Sequence, residues 1–159
     1  PELRVGYVVP PGSLYGPLYK ARQIADWHGC TLTQTALASF MLNGDFAKHL
    51  RRMHKTYAAR RARLLEHLQG GLSPWFEPIV PTAGIHIAAR LRAPLTEQAV
   101  VTAAREASIG LYGLAPFYQR AKPQAGLIFG YGNIAEPHID TSLGTLAGIL
   151  ARLASSPGN

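Results

Sequence analysis

Cysteine is the scarcest useful residue in this sequence: Cys30 is the only one among 159 residues, so no internal disulfide can form. No Cys-x-x-Cys pair and no Cys/His ligand spacing occurs, which removes structural zinc and leaves no metal site to expect. Acidic residues are also few, 9 against 16 Lys and Arg, for a net charge of +7. That balance can serve nucleic acid, depending on where the charges cluster. No apolar run approaches the roughly 18 residues of a membrane span, and no signal-peptide pattern opens the chain. A cytoplasmic protein without a membrane partner is the expectation. There is no Ser-His-Asp set, no pair of carboxylates at useful spacing and no phosphate-cradling glycine loop.

What is present is enough apolar residue, 47%, to build a core. Leu3, Val5, Tyr7, Val8 and Val9 read as a buried strand, broken by Arg4 and closed by Pro10, Pro11 and Gly12. An arginine is costly to bury in such a strand unless its guanidinium meets an anion. Helices follow at residues 14–27 and 31–42, ended by His28-Gly29 and Asn43-Gly44. The strongest helical signal runs over residues 46–69, with Asp45 expected to cap it. At 100° per residue, Phe46, Leu50, Met53, Tyr57, Leu64 and Leu68 form one apolar stripe. Lys48, Arg51, Arg52, Lys55 and Arg63 lie opposite it. That basic face could grip phosphate but reads better as a solvated face, since no aromatic or glycine interleaves it. Arg60 and Arg61 flank the stripe, with heads expected to seek carboxylates.

Strands are expected at residues 75–80, 85–91, 109–114 and 126–131. Helices are expected at 96–108, capped by Thr96, and at 137–153, with Pro137 in the first turn. Residues 155–159 read as a flexible tail. The order predicts an α+β domain with a short, mostly antiparallel sheet and its helices on one face. Three parts are expected: a strand with two helices over 1–44, a long helix with a small α+β domain over 45–154, and the tail.

Taken in order, several pieces carry a family resemblance. They are Leu3-Arg4-Val5-Gly6-Tyr7, Gln34 with Phe40, Gly44-Asp45-Phe46, His49-Leu50-Arg51-Arg52-Met53 with Tyr57, Ala83-Gly84-Ile85-His86 and Leu127-Ile128-Phe129-Gly130-Tyr131. Together they resemble the C-terminal part of fold-type-I pyridoxal-phosphate proteins. Within that superfamily they most resemble the aminotransferase-like effector domain of MocR/GntR-type bacterial transcription regulators. The resemblance implies the small C-terminal domain of the aminotransferase fold. It gives Arg4 the cofactor phosphate in the intact protein, a role that suits a fork of fixed donors. It also implies that the Schiff-base lysine, the rest of the large domain and a helix-turn-helix domain lie upstream of Pro1. The fragment is then not an enzyme and holds no cofactor stably by itself. Its implied partners are the missing large domain, a second protomer, a small-molecule effector, and DNA only through the helix-turn-helix.

The substrate-carboxylate arginine of aminotransferases has Ile128 at its nearest matching position, which favours the regulator over the alternative, a class I/II aminotransferase fragment. His86 and Tyr118 are candidate effector contacts, although a lone strand histidine and aromatics beside Pro116 more often serve packing. Arg120 lies in a polar loop and reads as solvated. Cys30 has no cation placed to lower its pKa.

Overall fold

The computed structural model describes residues 5–92, 94–119 and 122–155. Helix α1 spans Gly12–Asp26, α2 Thr31–Leu42 and α3 Asp45–Gln69. Strands β1 (Phe76–Ile79) and β2 (His86–Leu91) form a hairpin, followed by α4 (Glu97–Glu106). A two-residue β3 (Tyr112–Gly113), a 3-10 turn (Ala115–Phe117), β4 (Gly126–Gly130) and α5 (Glu136–Ser155) complete the chain. The sheet order is β1-β2-β4-β3, antiparallel at every pairing. This is the expected α+β arrangement. The strand expected over 109–114 shrinks to Tyr112–Gly113, because only those residues find partners, opposite Ile128 and Leu127.

By compactness the chain divides into two units after Met53, inside α3 rather than at its start. In the second unit the sheet buries Phe76, Ile87, Ala89, Leu127 and Phe129. Alternation along each strand puts all five on one face. Leu64 and Leu68 of α3, Val100 and Ala104 of α4, and Ile139, Leu143, Leu146 and Leu150 of α5 cover that face. Phe76 and Phe129 meet edge to face at 5.4 Å between ring centroids, a preferred aromatic geometry.

Three sets of polar contacts tie the layers. Glu97, the first residue of α4, turns its carboxylate onto the backbone. It accepts from Leu114 N (3.0 Å), Ala115 N (3.3 Å) and Gly126 N (3.1 Å). One side chain therefore joins α4 to β4 and to the 3-10 turn after β3. Thr96 caps the same helix, its hydroxyl accepting from Ala99 N at 3.3 Å. Arg60 donates to the carbonyls of Gly132 (2.8 Å) and Tyr131 (3.4 Å), and Arg61 to that of Pro81 (2.9 Å). The two heads thus reach backbone carbonyls at strand ends and not carboxylates, because chain exits leave acceptors unpaired there. Tyr131 is buried, and its hydroxyl donates to Gly84 O at 2.7 Å, closing the β1–β2 hairpin onto the end of β4. Across α3 and α5, Arg63 grips Asp140 with Nε (2.6 Å) and Nη2 (3.0 Å), and His67 Nε2 stands 2.8 Å from the same carboxylate.

The first unit is different. Neither α1 nor α2 buries a side chain. Val8, Val9, Ile24, Trp27, Leu32 and Leu42 are all more than three-quarters exposed. Leu3 and Arg4 lie outside the described residues. Residues 5–9 form no strand and are not buried, with Tyr7 90% exposed. A strand needs a neighbour for its amides and carbonyls, and none of the four described strands pairs with this segment. Asp45 is the first helical residue of α3 and not its cap: its carboxylate pairs with Lys48 Nζ at 3.0 Å. The turn before it is made by Gly44, held at φ 76° where a side chain would be strained.

Replacing Glu97 by Gln keeps the size but removes an acceptor that several amides share. A loss of about 1–3 kcal/mol in urea-unfolding stability is expected; a change below about 0.5 kcal/mol would show that the contacts are incidental. Asp140 supplies a pH signature. Hydrogen bonds from Arg63, then His67, hold its carboxyl at about 2, below the ordinary 3.8. A depressed folded pKa stabilises fully above the unfolded value, and that contribution fades as pH falls through about 2. The urea midpoint of Asp140→Asn should accordingly fall less than wild type's as pH drops from about 4 to 2.

Candidate functional site

The same alternation that buries one sheet face presents the other. Ile79, Ala88, Ile128 and Tyr112 stand in one row across all four strands, each opposite the next. Ile79 (43%) and Tyr112 (73%) are well exposed. Glu77, Arg90 and Gly126 form the neighbouring row. Arg90 Nη1 lies 3.6 Å from Glu77 Oε1, and its Nε donates to Gln124 Oε1 at 2.9 Å. At the other end His86 pairs with Gly130. A Cβ on Gly130 would stand 3.3 Å from His86 Cδ2, so the imidazole lies directly over the glycine. This face is an apolar strip between a histidine and an arginine, and the helix residues that bury the sheet, from α3, α4 and α5, lie on its other face among the described residues of the second unit.

His86, one of the two expected effector contacts, shares that face with Ile128. Sequence reasoning had missed Arg90, whose role is visible only once β2–β4 register sets it opposite Gly126. Tyr118 is half-buried just after the 3-10 turn. That turn starts beside Gly126, at the end of β4 away from Gly130, with about 13 Å of strand between them. No hydrogen bond or ring contact joins His86 to Tyr118 among the described residues. Arg4 and Arg120, the other candidates, lie outside the described residues.

The first unit holds a groove of about 930 Å³, open on one side, between residues 5–10 and helices α1 and α2. Tyr15 and Tyr19 stack along it at 6.2 Å. Its described cation, Arg22, is paired with Asp26. Among the described residues the groove therefore offers neither an unpaired cation for a phosphate nor a lysine amine. Seating pyridoxal phosphate there would depend on Arg4 and on groups outside the described chain. Cys30, also on the groove, is exposed, and the Thr33 hydroxyl and amide hold its thiol below the usual value. No cation is needed for that shift: the donors are those at the start of α2. Among the described residues no cluster of His, Cys, Asp and Glu could hold a metal, and no helix is long and apolar enough to cross a membrane.

Comparison with known proteins fits this geometry. The fold superposes on LysN, the α-aminoadipate aminotransferase of Thermus thermophilus solved with N-(5'-phosphopyridoxyl)-L-leucine, at a TM-score of 0.87 and 21% identity. That match takes in 97% of this chain and 39% of the enzyme. In sequence the chain is 31% identical over 156 residues to the HTH-type transcriptional regulator YhdI of Bacillus subtilis. It is 29% identical to the probable rhizopine catabolism regulatory protein MocR of Rhizobium meliloti. The chain therefore has the fold of part of an aminotransferase, and its sequence is similar to that of HTH-type regulators. Each alignment takes in 98% of this chain but only 33% and 32% of the respective regulator. The chain thus spans about a third of the length of the curated relatives it matches. No family model matches the chain. Strand β4 carries Ile128 on the open face, and no arginine lies in that strand.

The two faces of β4 make a paired test. Phe129→Ala, on the buried face, should cost about 3–5 kcal/mol. Ile128→Ala, on the open face, should cost less than half of that by the same urea titration, and equal losses would show that the open face is not open.

Proposed function

We propose that these residues are the aminotransferase-like, effector-binding part of a pyridoxal-phosphate-dependent bacterial transcription regulator. One observation carries the reading: regulators match the chain over 98% of its length while the same residues adopt an aminotransferase fold. In this reading Arg4 takes the phosphate of the cofactor, its guanidinium supplying parallel donors to a dianion. The imine-forming lysine and the DNA-binding helix-turn-helix belong to the two thirds of the regulator that these residues do not match. The exposed apolar side chains of α1 and α2 meet the remainder of the large domain and a second protomer, and burying them is what orders that unit. The open sheet face closes over a small-molecule effector. His86 contacts it from one end of β4, and Tyr118 stands at the rim by the other end.

The second reading, a class I/II aminotransferase, needs a cation for the substrate carboxylate. Arg90 shares the open face, but Glu77 and Gln124 already engage it. Ile128 offers a carboxylate nothing to pair with, so sensing is favoured over turnover.

The test uses the whole regulator. Wild type should carry pyridoxal phosphate through gel filtration, and Arg4→Ala should lower its affinity for the cofactor at least about tenfold, the loss of a charge-assisted bidentate contact. Retention equal to wild type would remove Arg4 from the site. Steady amino-acid turnover with a keto acid would replace the regulator reading with the enzyme one.

A further inference from the structure

Helix α3 carries seven Lys and Arg between residues 46 and 65, and no Asp or Glu. The structure sorts these seven by what they touch. In the C-terminal half, Arg60 and Arg61 hold backbone carbonyls and Arg63 holds Asp140 and Glu66. In the N-terminal half, Lys48 pairs with Asp45. Arg52 makes only a 3.4 Å contact with the His49 ring. Arg51 and Lys55 have no partner among the described residues, and all four of Lys48, Arg51, Arg52 and Lys55 are exposed. Their i, i+3, i+4, i+7 spacing sets them on one side of two helical turns, a row about 10 Å long. The periodicity alone reads as a solvated face. Apart from Lys48, these side chains lack an acidic partner among the described residues, unlike Arg63, and they hold no backbone carbonyl there, unlike Arg60 and Arg61.

We propose that this row docks on the phosphate backbone of duplex DNA, adding a sequence-independent contact to that of the regulator's DNA-binding domain. The row offers charge complementarity and little else, which suits phosphates and not bases. No aromatic side chain stands within it to stack unpaired bases, so a duplex fits better than a single strand. A membrane surface would need the apolar side of the helix to be free. Here Phe46 is half-buried and packs on Phe40 at 6.1 Å between ring centroids, and Met53 and Tyr57 are half-buried, which leaves Leu50 as the one exposed side chain of the stripe between Phe46 and Tyr57. The choice of DNA rests on the regulator reading, but the contact needs neither cofactor nor effector, so the two can fail separately.

The experiment titrates the 159-residue chain against a fluorescein-labelled 30-base-pair duplex of arbitrary sequence, reading anisotropy over a range of salt. Three free cations each neutralising a phosphate give a log–log salt slope of about −2.7, or about a 40-fold loss of affinity for a fourfold rise in salt. The triple variant R51Q/R52Q/K55Q, in which Gln preserves helix propensity, should lose most of that slope and keep the wild-type circular dichroism. The control R105Q/K122Q, which removes two exposed charges elsewhere, should keep the slope. A wild-type slope shallower than about −1 overturns the proposal. So does a triple variant that binds like wild type, or a control that loses as much as the triple variant. Tighter binding to anionic vesicles (phosphatidylserine in phosphatidylcholine) than to the duplex at equal salt assigns the row to a membrane and overturns it as well.

Discussion

Everything in the second unit depends on a sheet covered on one side only. Four short antiparallel strands send Phe76, Ile87, Ala89, Leu127 and Phe129 to one face, and three helices close over it. With a side-chain period of two, the residues between them are forced to the other face. The same register that makes the core therefore also makes the strip of Ile79, Ala88, Ile128 and Tyr112, and places His86 and Arg90 at its ends. Core and candidate site are two sides of one hydrogen-bonded ladder.

The polar contacts hold that ladder at its weak points. Edges and chain exits leave amides and carbonyls without partners, and leaving such groups unpaired when buried is costly. Glu97 accepts from the amides where β4 begins and β3 ends, while Arg60, Arg61 and Tyr131 satisfy or close the exits at the opposite end. Arg60 is not fully used by this: its Nε is buried with no hydrogen-bond partner among the described residues. The open face is thereby framed by hydrogen-bonded ends.

The first unit supplies no comparable core. Two helices without a buried side chain, and an extended segment with exposed valines, gain little by hydrophobic burial. The chain spans about a third of the length of its regulator relatives and 39% of an aminotransferase.

Much of this was legible in the residues. Apolar periodicity, Thr96, Pro137 and the glycine stops located five helices and the hairpin to within a few residues, because these signals act over one or two turns of chain. The ordered pieces from Leu3 to Tyr131 also carried the family resemblance. Asp45 deceived because a lysine one turn on competes for its carboxylate. The segment 5–9 deceived because a strand's hydrogen bonds are made to another strand, which no local pattern can supply. Arg90 went unnoticed for a similar reason: its sequence neighbours say nothing of Gly126, thirty-six positions away. Composition and period, which are properties of neighbouring residues, determined the elements and which side of each is apolar. Register, the sharing of the open face by His86, Ile128 and Arg90, and the sorting of α3's cations into used and unused were decided only by tertiary structure, because each is a pairing between residues distant along the chain.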